Sequence, residues 1–266
     1  MGDGRRLVAC LLLLLSACTP ADDAWGRVRE SGVLRVGMDA SFPPFEAVAA
    51  DGTLNGFDVD LARELGRRLG PSLGLEEGLE VQFVANLPYD GLYDALAVGR
   101  VDVVISALVV NRARMADFAY SATYFDAGTM LVVREGHQAS VSGMIDMAGH
   151  TLSVEFGTPG DLEARRWARR LPDLTLLPCQ TAFEALEAVA AGEADGALVD
   201  HVSALSAAGE GSGLVILAGT VVEEPYAVAV HHDSAQLLDA VNGALADMEA
   251  DGTLDALAAE WLGGGE

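Results

Sequence analysis

The chain has 266 residues, 51% of them apolar, enough for one large or two medium domains with real cores; this composition excludes a disordered or low-complexity chain. All 16 basic residues are arginine, set against 40 acids, for a formal charge of −24. No basic face is left for a phosphate backbone, so nucleic acid is excluded as a partner, and most of the acids are assigned to a solvated surface.

Residues 1–17 read as a lipoprotein signal peptide: Arg5 and Arg6, then an apolar run over 7–15. That run falls well short of the ~20 residues that cross a bilayer. Leu15-Ser16-Ala17-Cys18 resembles a bacterial lipobox, which implies a diacylglycerol on Cys18 and a lipid anchor on the extracytoplasmic side of the cell envelope, with residues 18–27 as a tether. Of three cysteines only Cys179 then remains as a thiol, so no intramolecular disulfide is expected, and the apolar run before Cys179 suggests a buried, inert one.

Short apolar runs at 34–36, 81–84, 101–108, 130–133, 152–154, 174–177, 197–199, 215–217 and 226–230 predict buried strands. Between them lie helical patterns. Phe57, Leu61, Leu65 and Leu69 repeat every four residues, and 89–98, 161–171, 182–191 and 237–262, broken at Asp251-Gly252, follow suit. Alternation of strand and helix predicts an α/β fold. The stretch from Tyr93 to Val104 is echoed from Phe183 to Leu198: amphipathic helix, stopping glycine, acid, buried strand. The echo suggests two lobes of similar construction.

Two motifs then stand out, Gly37-Met38-Asp39-Ala40-Ser41-Phe42-Pro43-Pro44-Phe45-Glu46 and Gly56-Phe57-Asp58-Val59-Asp60-Leu61. With Ile105 to Leu108, Gly157-Thr158, Asp200 and Asp251 to Leu254 they resemble bacterial solute-binding protein family 3, the amino-acid receptors of ABC importers. The resemblance implies two Rossmann-like lobes joined by a two-strand hinge, the periplasmic binding protein-like II fold. Lobe one is expected at 28–126 plus 225–266 and lobe two at 127–224. The strand entering lobe two is expected near 125–129 and the returning one near 223–226. Ligand would bind in the cleft and shift the chain toward a closed form.

The resemblance also implies roles. Arg114, with Arg112 as a like-charged neighbour, falls at the carboxylate-binding arginine, where a guanidinium grips both oxygens. Thr158 would donate to the same carboxylate. Asp200 would hold the ligand ammonium, its competing use being a helix N-cap. Ser106 is the other ammonium partner, by hydroxyl or carbonyl. Phe42 and Tyr89 would pack around the ligand side chain. Asp39 and Glu155 would line its pocket, which leans the specificity toward arginine, lysine, ornithine or histidine. The family places a hydroxyl residue at Val109 and often Ser or Gly at Ala107, and Pro159 lacks an N–H; these departures leave an amino-acid derivative open.

No catalytic residue, cofactor or metal is expected. His231-His232-Asp233 is read as a surface turn between strand and helix. The expected partners are a small amino acid, a permease and, through Cys18, the membrane, for a monomeric protein. The alternatives are a cyclohexadienyl dehydratase-like enzyme with Glu155 as proton donor, and a sensing lipoprotein that reports to a signalling partner.

Overall fold

The computed structural model describes residues 23–263 except Glu210. The described chain begins with helix α1 (Asp23–Ser31), which feeds strand β1 (Val33–Gly37). The residues expected to form the end of an extended tether are therefore helical. The reason is packing, since Ala24 and Val28 of α1 are buried in the core beneath it.

A small antiparallel sheet follows, from β2 (Ser41–Phe42), β3 (Glu46–Val48) and β4 (Leu54–Asn55). Helix α2 (Phe57–Leu69) then buries the predicted Phe57, Leu61, Leu65 and Leu69 stripe. Asp58 and Asp60 in its first turn and Arg67 and Arg68 in its last complement the helix dipole. Gly56 caps it at φ +129°, where an added Cβ would collide with the carbonyl oxygen of Phe45, so only glycine fits. The chain continues through β5 (Glu80–Val84), α3 (Leu92–Ala97), β6 (Val103–Val104) and β7 (Phe118–Asp126).

The next segment comprises β8 (Thr129–Arg134), β9 (Thr151–Glu155), α4 (Pro159–Ala168), β10 (Thr175–Cys179), α5 (Ala182–Ala191), β11 (Gly196–Asp200), α6 (His201–Ala207) and β12 (Leu214–Ile216). The chain then returns as β13 (Pro225–His231) and ends in α7 (Ala235–Ala250) and α8 (Thr253–Trp261). Trp261 Nε1 donates to Asp60 Oδ2 at 2.9 Å, fixing α8 against α2.

The strands form two five-stranded sheets, ordered β5-β1-β6-β13-β7 and β10-β9-β11-β8-β12. In the first, β5, β1 and β6 are parallel and β13 lies antiparallel between β6 and β7; in the second, β10, β9 and β11 are parallel and β8 is antiparallel to β11 and β12. Helices pack on both sheets, and the fold is that of two Rossmann-like lobes.

The sheets are joined where β7 runs into β8 and where the chain returns to β13. Here Ala127 N donates to Glu224 O and Thr129 N to Val222 O. Asp126 ties the two crossings together. Its Oδ1 accepts from Gly128 N (2.9 Å) and Glu224 N (2.8 Å), and its Oδ2 from Thr220 Oγ1 (2.7 Å). A Cβ on Gly128 would fall on the carbonyl oxygen of Val222, so the crossing needs glycine for close approach.

Candidate functional site

Strand direction sets which ends of the two sheets the expected residues occupy. Strand β7 is antiparallel to β13 and β13 to β6, so the end of β7 at Asp126 lies with the ends of β1 and β6. Asp39 and Ser106 each follow one of those ends by two residues. Strand β8 starts at the crossing and is antiparallel to β11, with Thr129 opposite Asp200, so the ends of β9 and β11 also face it. Glu155 ends β9 and Asp200 ends β11. The carboxyl ends of both parallel sets flank the crossing, where ligands of open α/β sheets bind.

A cavity of about 340 Å³ opens at this end of the first sheet. Six of the expected residues line it: Asp39, Phe42, Tyr89, Ser106, Ala107 and Val109. Four others join them: Ser41, Glu46, Glu224 and Tyr226. Phe42 and Tyr89 are 49% and 45% exposed, an open aromatic rim. Asp39 is held on both oxygens, by Ser41 Oγ at 2.7 Å and Tyr89 N at 3.0 Å, which fixes the rim relative to β1.

Beneath the rim lies a carboxyl pair. Glu46 and Asp58 are 1% and 0% exposed. Ser106 Oγ donates to Glu46 Oε1 at 2.7 Å and accepts from Asp39 N at 3.0 Å, so this hydroxyl already has a donor and an acceptor. Asp58 Oδ2 accepts from Ala107 N at 2.5 Å and Tyr124 OH at 3.0 Å. These bonds shape the turn in which Ala107 takes a positive φ of 43°. Burial first, then the mutual charge, pushes Glu46 up to about 9; burial also raises Asp58, to about 7, against the hydrogen bonds from Ala107 and Tyr124.

The remaining expected residues lie outside the lining of this cavity. Arg114 is exposed, with Cζ 4.3 Å from the centre of the Tyr93 ring, and Tyr93 in turn bonds Tyr120 through their hydroxyls. Arg112, on the same turn, has no ion pair or ring contact among the described residues. Thr158 is the N-cap of α4, its Oγ1 accepting from Asp161 N and donating to Glu155 O. Asp200 serves as the N-cap that competed for it in the sequence: Oδ1 accepts from Ser203 N at 2.8 Å. Cap and ligand contact are compatible, because Oδ2 makes no side-chain bond among the described residues.

His231, the last residue of β13, and His232 and Asp233 in the turn before α7 lie at the opposite end of the sheet, with ligand-type atoms within 4.8 Å of one another. A larger cavity of about 410 Å³, walled by Arg27, Asp102 and His231, is at that same distal end. Cys179 is half-buried, and burial pushes its thiol up. Cys18 lies outside the described residues. Among the described residues no helix is long and apolar enough to cross a membrane.

Four lining residues escaped the sequence reading. Glu224 and Tyr226 carried a signal, since the returning strand was expected near them. Ser41 and Glu46 sit inside the quoted motif without an assigned role.

Residues 34–264 match bacterial extracellular solute-binding proteins, family 3, and the chain belongs to that family. It is 29% identical over 238 residues to the L-cystine-binding protein TcyJ of Escherichia coli (strain K12), covering 89% of this chain and 85% of the relative. Among solved structures it resembles an ancestral cationic amino acid solute binding protein at 28% identity, with a TM-score of 0.59 over 89% of this chain and 98% of the other. An ancestral cyclohexadienyl dehydratase is similar at 25% identity, with a TM-score of 0.72 over 89% of this chain and 95% of the other.

Proposed function

We propose that this chain is an extracytoplasmic, Cys18-anchored solute-binding protein of an ABC importer that takes a basic amino acid at the crossing and delivers it to a permease. One observation carries the reading: the cavity at the crossing is lined by three acids, Asp39, Glu46 and Glu224, and three aromatic rings, with no basic side chain among its lining residues. Acids and ring faces together favour a cationic side chain. The likeness to a cationic amino acid binding protein supports the same class.

In this reading lobe one spans 28–126 plus 225–266, and lobe two spans 127–224. Closure about Asp126 and Gly128 brings Glu155, Thr158 and Asp200 across onto the ligand. Asp200 takes the ammonium, while Thr158 and the start of α4 face the carboxylate. Ser106, with its hydroxyl committed, meets the ammonium through its carbonyl. The cation for the carboxylate comes from the turn of Arg112–Arg114. Arg114 is the residue the sequence singled out; Arg112 is the second reading, favoured because Arg114 already covers Tyr93 while Arg112 has no such contact.

The test is a thermal-shift screen of the twenty amino acids with ornithine, citrulline and betaines. At a hundredfold excess over Kd, mass action stabilises the chain by ~2.7 kcal/mol, a rise of about 5–10 °C. The basic amino acids are expected to give it. Stabilisation by aspartate or glutamate and by none of the basic set overturns the reading. The dehydratase likeness motivates one control, turnover of a cyclohexadienyl acid, for which no activity is expected.

A further inference from the structure

Two buried carboxyls in contact must share a proton or be paired with a cation. No arginine or histidine among the described residues bonds Glu46 or Asp58. The two side chains contact each other, and each has one buried oxygen, Glu46 Oε2 and Asp58 Oδ1, with no other partner. The remaining bonds place the proton. Asp58 Oδ2 accepts twice, from Ala107 N and Tyr124 OH, as an ionised carboxylate does. Glu46 Oε1 accepts from Ser106, which leaves Oε2 as the oxygen that carries a proton toward Asp58 Oδ1.

The surroundings do not compensate this arrangement. The titratable groups facing the pair are Asp39 beyond β1, Tyr89, Tyr124 of β7, Tyr226 of β13 and Glu224 beside it. All are acids or phenols. Yet Glu46 lines the cavity. A cation entering that cavity is the one nearby positive charge that would favour ionisation of the pair.

We propose that Glu46 is the specificity-determining acid of the cavity, neutral through a proton shared with Asp58 before ligand enters and ionised once a cationic group enters, so that a basic ligand expels one proton to solvent. A neutral side chain does not expel it. The cavity thereby matches its charge to its ligand, and discrimination between cationic and neutral side chains grows as pH rises. This inference rests on the reading of the site as one for a basic amino acid.

The experiment is titration calorimetry of L-arginine and L-glutamine into the mature chain, at one pH, in buffers of different ionisation enthalpy. The dependence of heat on buffer gives the protons released. The expected result is close to one proton for arginine and near none for any neutral probe that binds. Arginine affinity should rise about tenfold per pH unit from about 7, where Asp58 is ionised, up to about 9, where Glu46 loses its proton without ligand, as linkage of one proton requires. Glu46→Gln should abolish the release and lower arginine affinity at least ~tenfold while sparing neutral probes. If that variant fails to fold, the wild-type infrared spectrum decides: a protonated-carboxyl band must be present and must vanish on adding arginine. Arginine binding without proton release overturns this inference and leaves the proposed function standing. Failure of arginine, lysine, ornithine and histidine to bind overturns both.

Discussion

Asp126 offers the sharpest perturbation of the fold, because one carboxylate holds both crossings. Its side chain accepts from Gly128 N, Glu224 N and Thr220 Oγ1, all within 2.9 Å. Hydrogen bonds to a charged group contribute ~1.5–3 kcal/mol each. The residue is half-buried, so water replaces part of what is lost, and Asp126→Ala is expected to cost about 3 kcal/mol in total. For a chain of this size that lowers Tm by about 6–12 °C. Asp126→Asn keeps the acceptor oxygen for the two N–H groups and lets its amide donate to Thr220, so it should recover most of the loss. Thermal melts by circular dichroism, with both variants beside the parent, measure this. A melting temperature for Asp126→Ala within ~1 °C of the parent would refute the idea that the carboxylate secures the crossing.

Stability should fall as pH rises from the ordinary carboxylate range toward 9, because the folded chain retains a proton on Asp58 up to about 7 and one on Glu46 up to about 9 that the unfolded chain has released. Each excess proton gives a slope of ~1.4 kcal/mol per pH unit, with the full contribution present below the unfolded pKa; urea melts across that window should show it, and Asp58→Asn should flatten it. Arg112→Ala and Arg114→Ala, compared by calorimetry, should separate the carboxylate grip from the ring contact: the gripping residue costs ~2–4 kcal/mol of ligand affinity, whereas loss of the other leaves affinity within threefold or so. Asp102 is buried and accepts from the backbone N, Nε and Nη2 of Arg35 and from Arg27 Nη2. Asp102→Ala should destabilise by about 3 kcal/mol in denaturant melts without changing ligand affinity, since it lies at the far end of the sheet.

Much of the fold was legible where pattern is local. Helix α2 reads directly from Phe57, Leu61, Leu65 and Leu69, and β11 from the apolar run that precedes Asp200. Strand β7 did not read as a strand: it forms one edge of its sheet, and its residues alternate irregularly between buried and exposed. Strands β2 to β4 are two or three residues long, below any periodicity. Helix α1 was hidden because its buried Ala24 and Val28 stand in a short stretch that also fits a tether. At the site, residues following strand ends were visible in the quoted motifs. The proton-sharing pair was not, because Glu46 and Asp58 meet only when β3 and α2 pack together. Glu224, just before β13, and Tyr226 within it reach the cavity more than a hundred residues after Ser106.

The position of β13 bears on how the chain is made. Every strand of the second sheet is present once Ile216 has emerged, whereas the first lacks its inner strand until residues 225–231 arrive between β6 and β7. During vectorial emergence the later-encoded sheet is therefore the earlier to assemble, and its predecessor waits with β6 and β7 unzipped from each other. A nascent polypeptide halted just before Pro225 would own one finished half and one half with an open seam, the form that chaperones recognise.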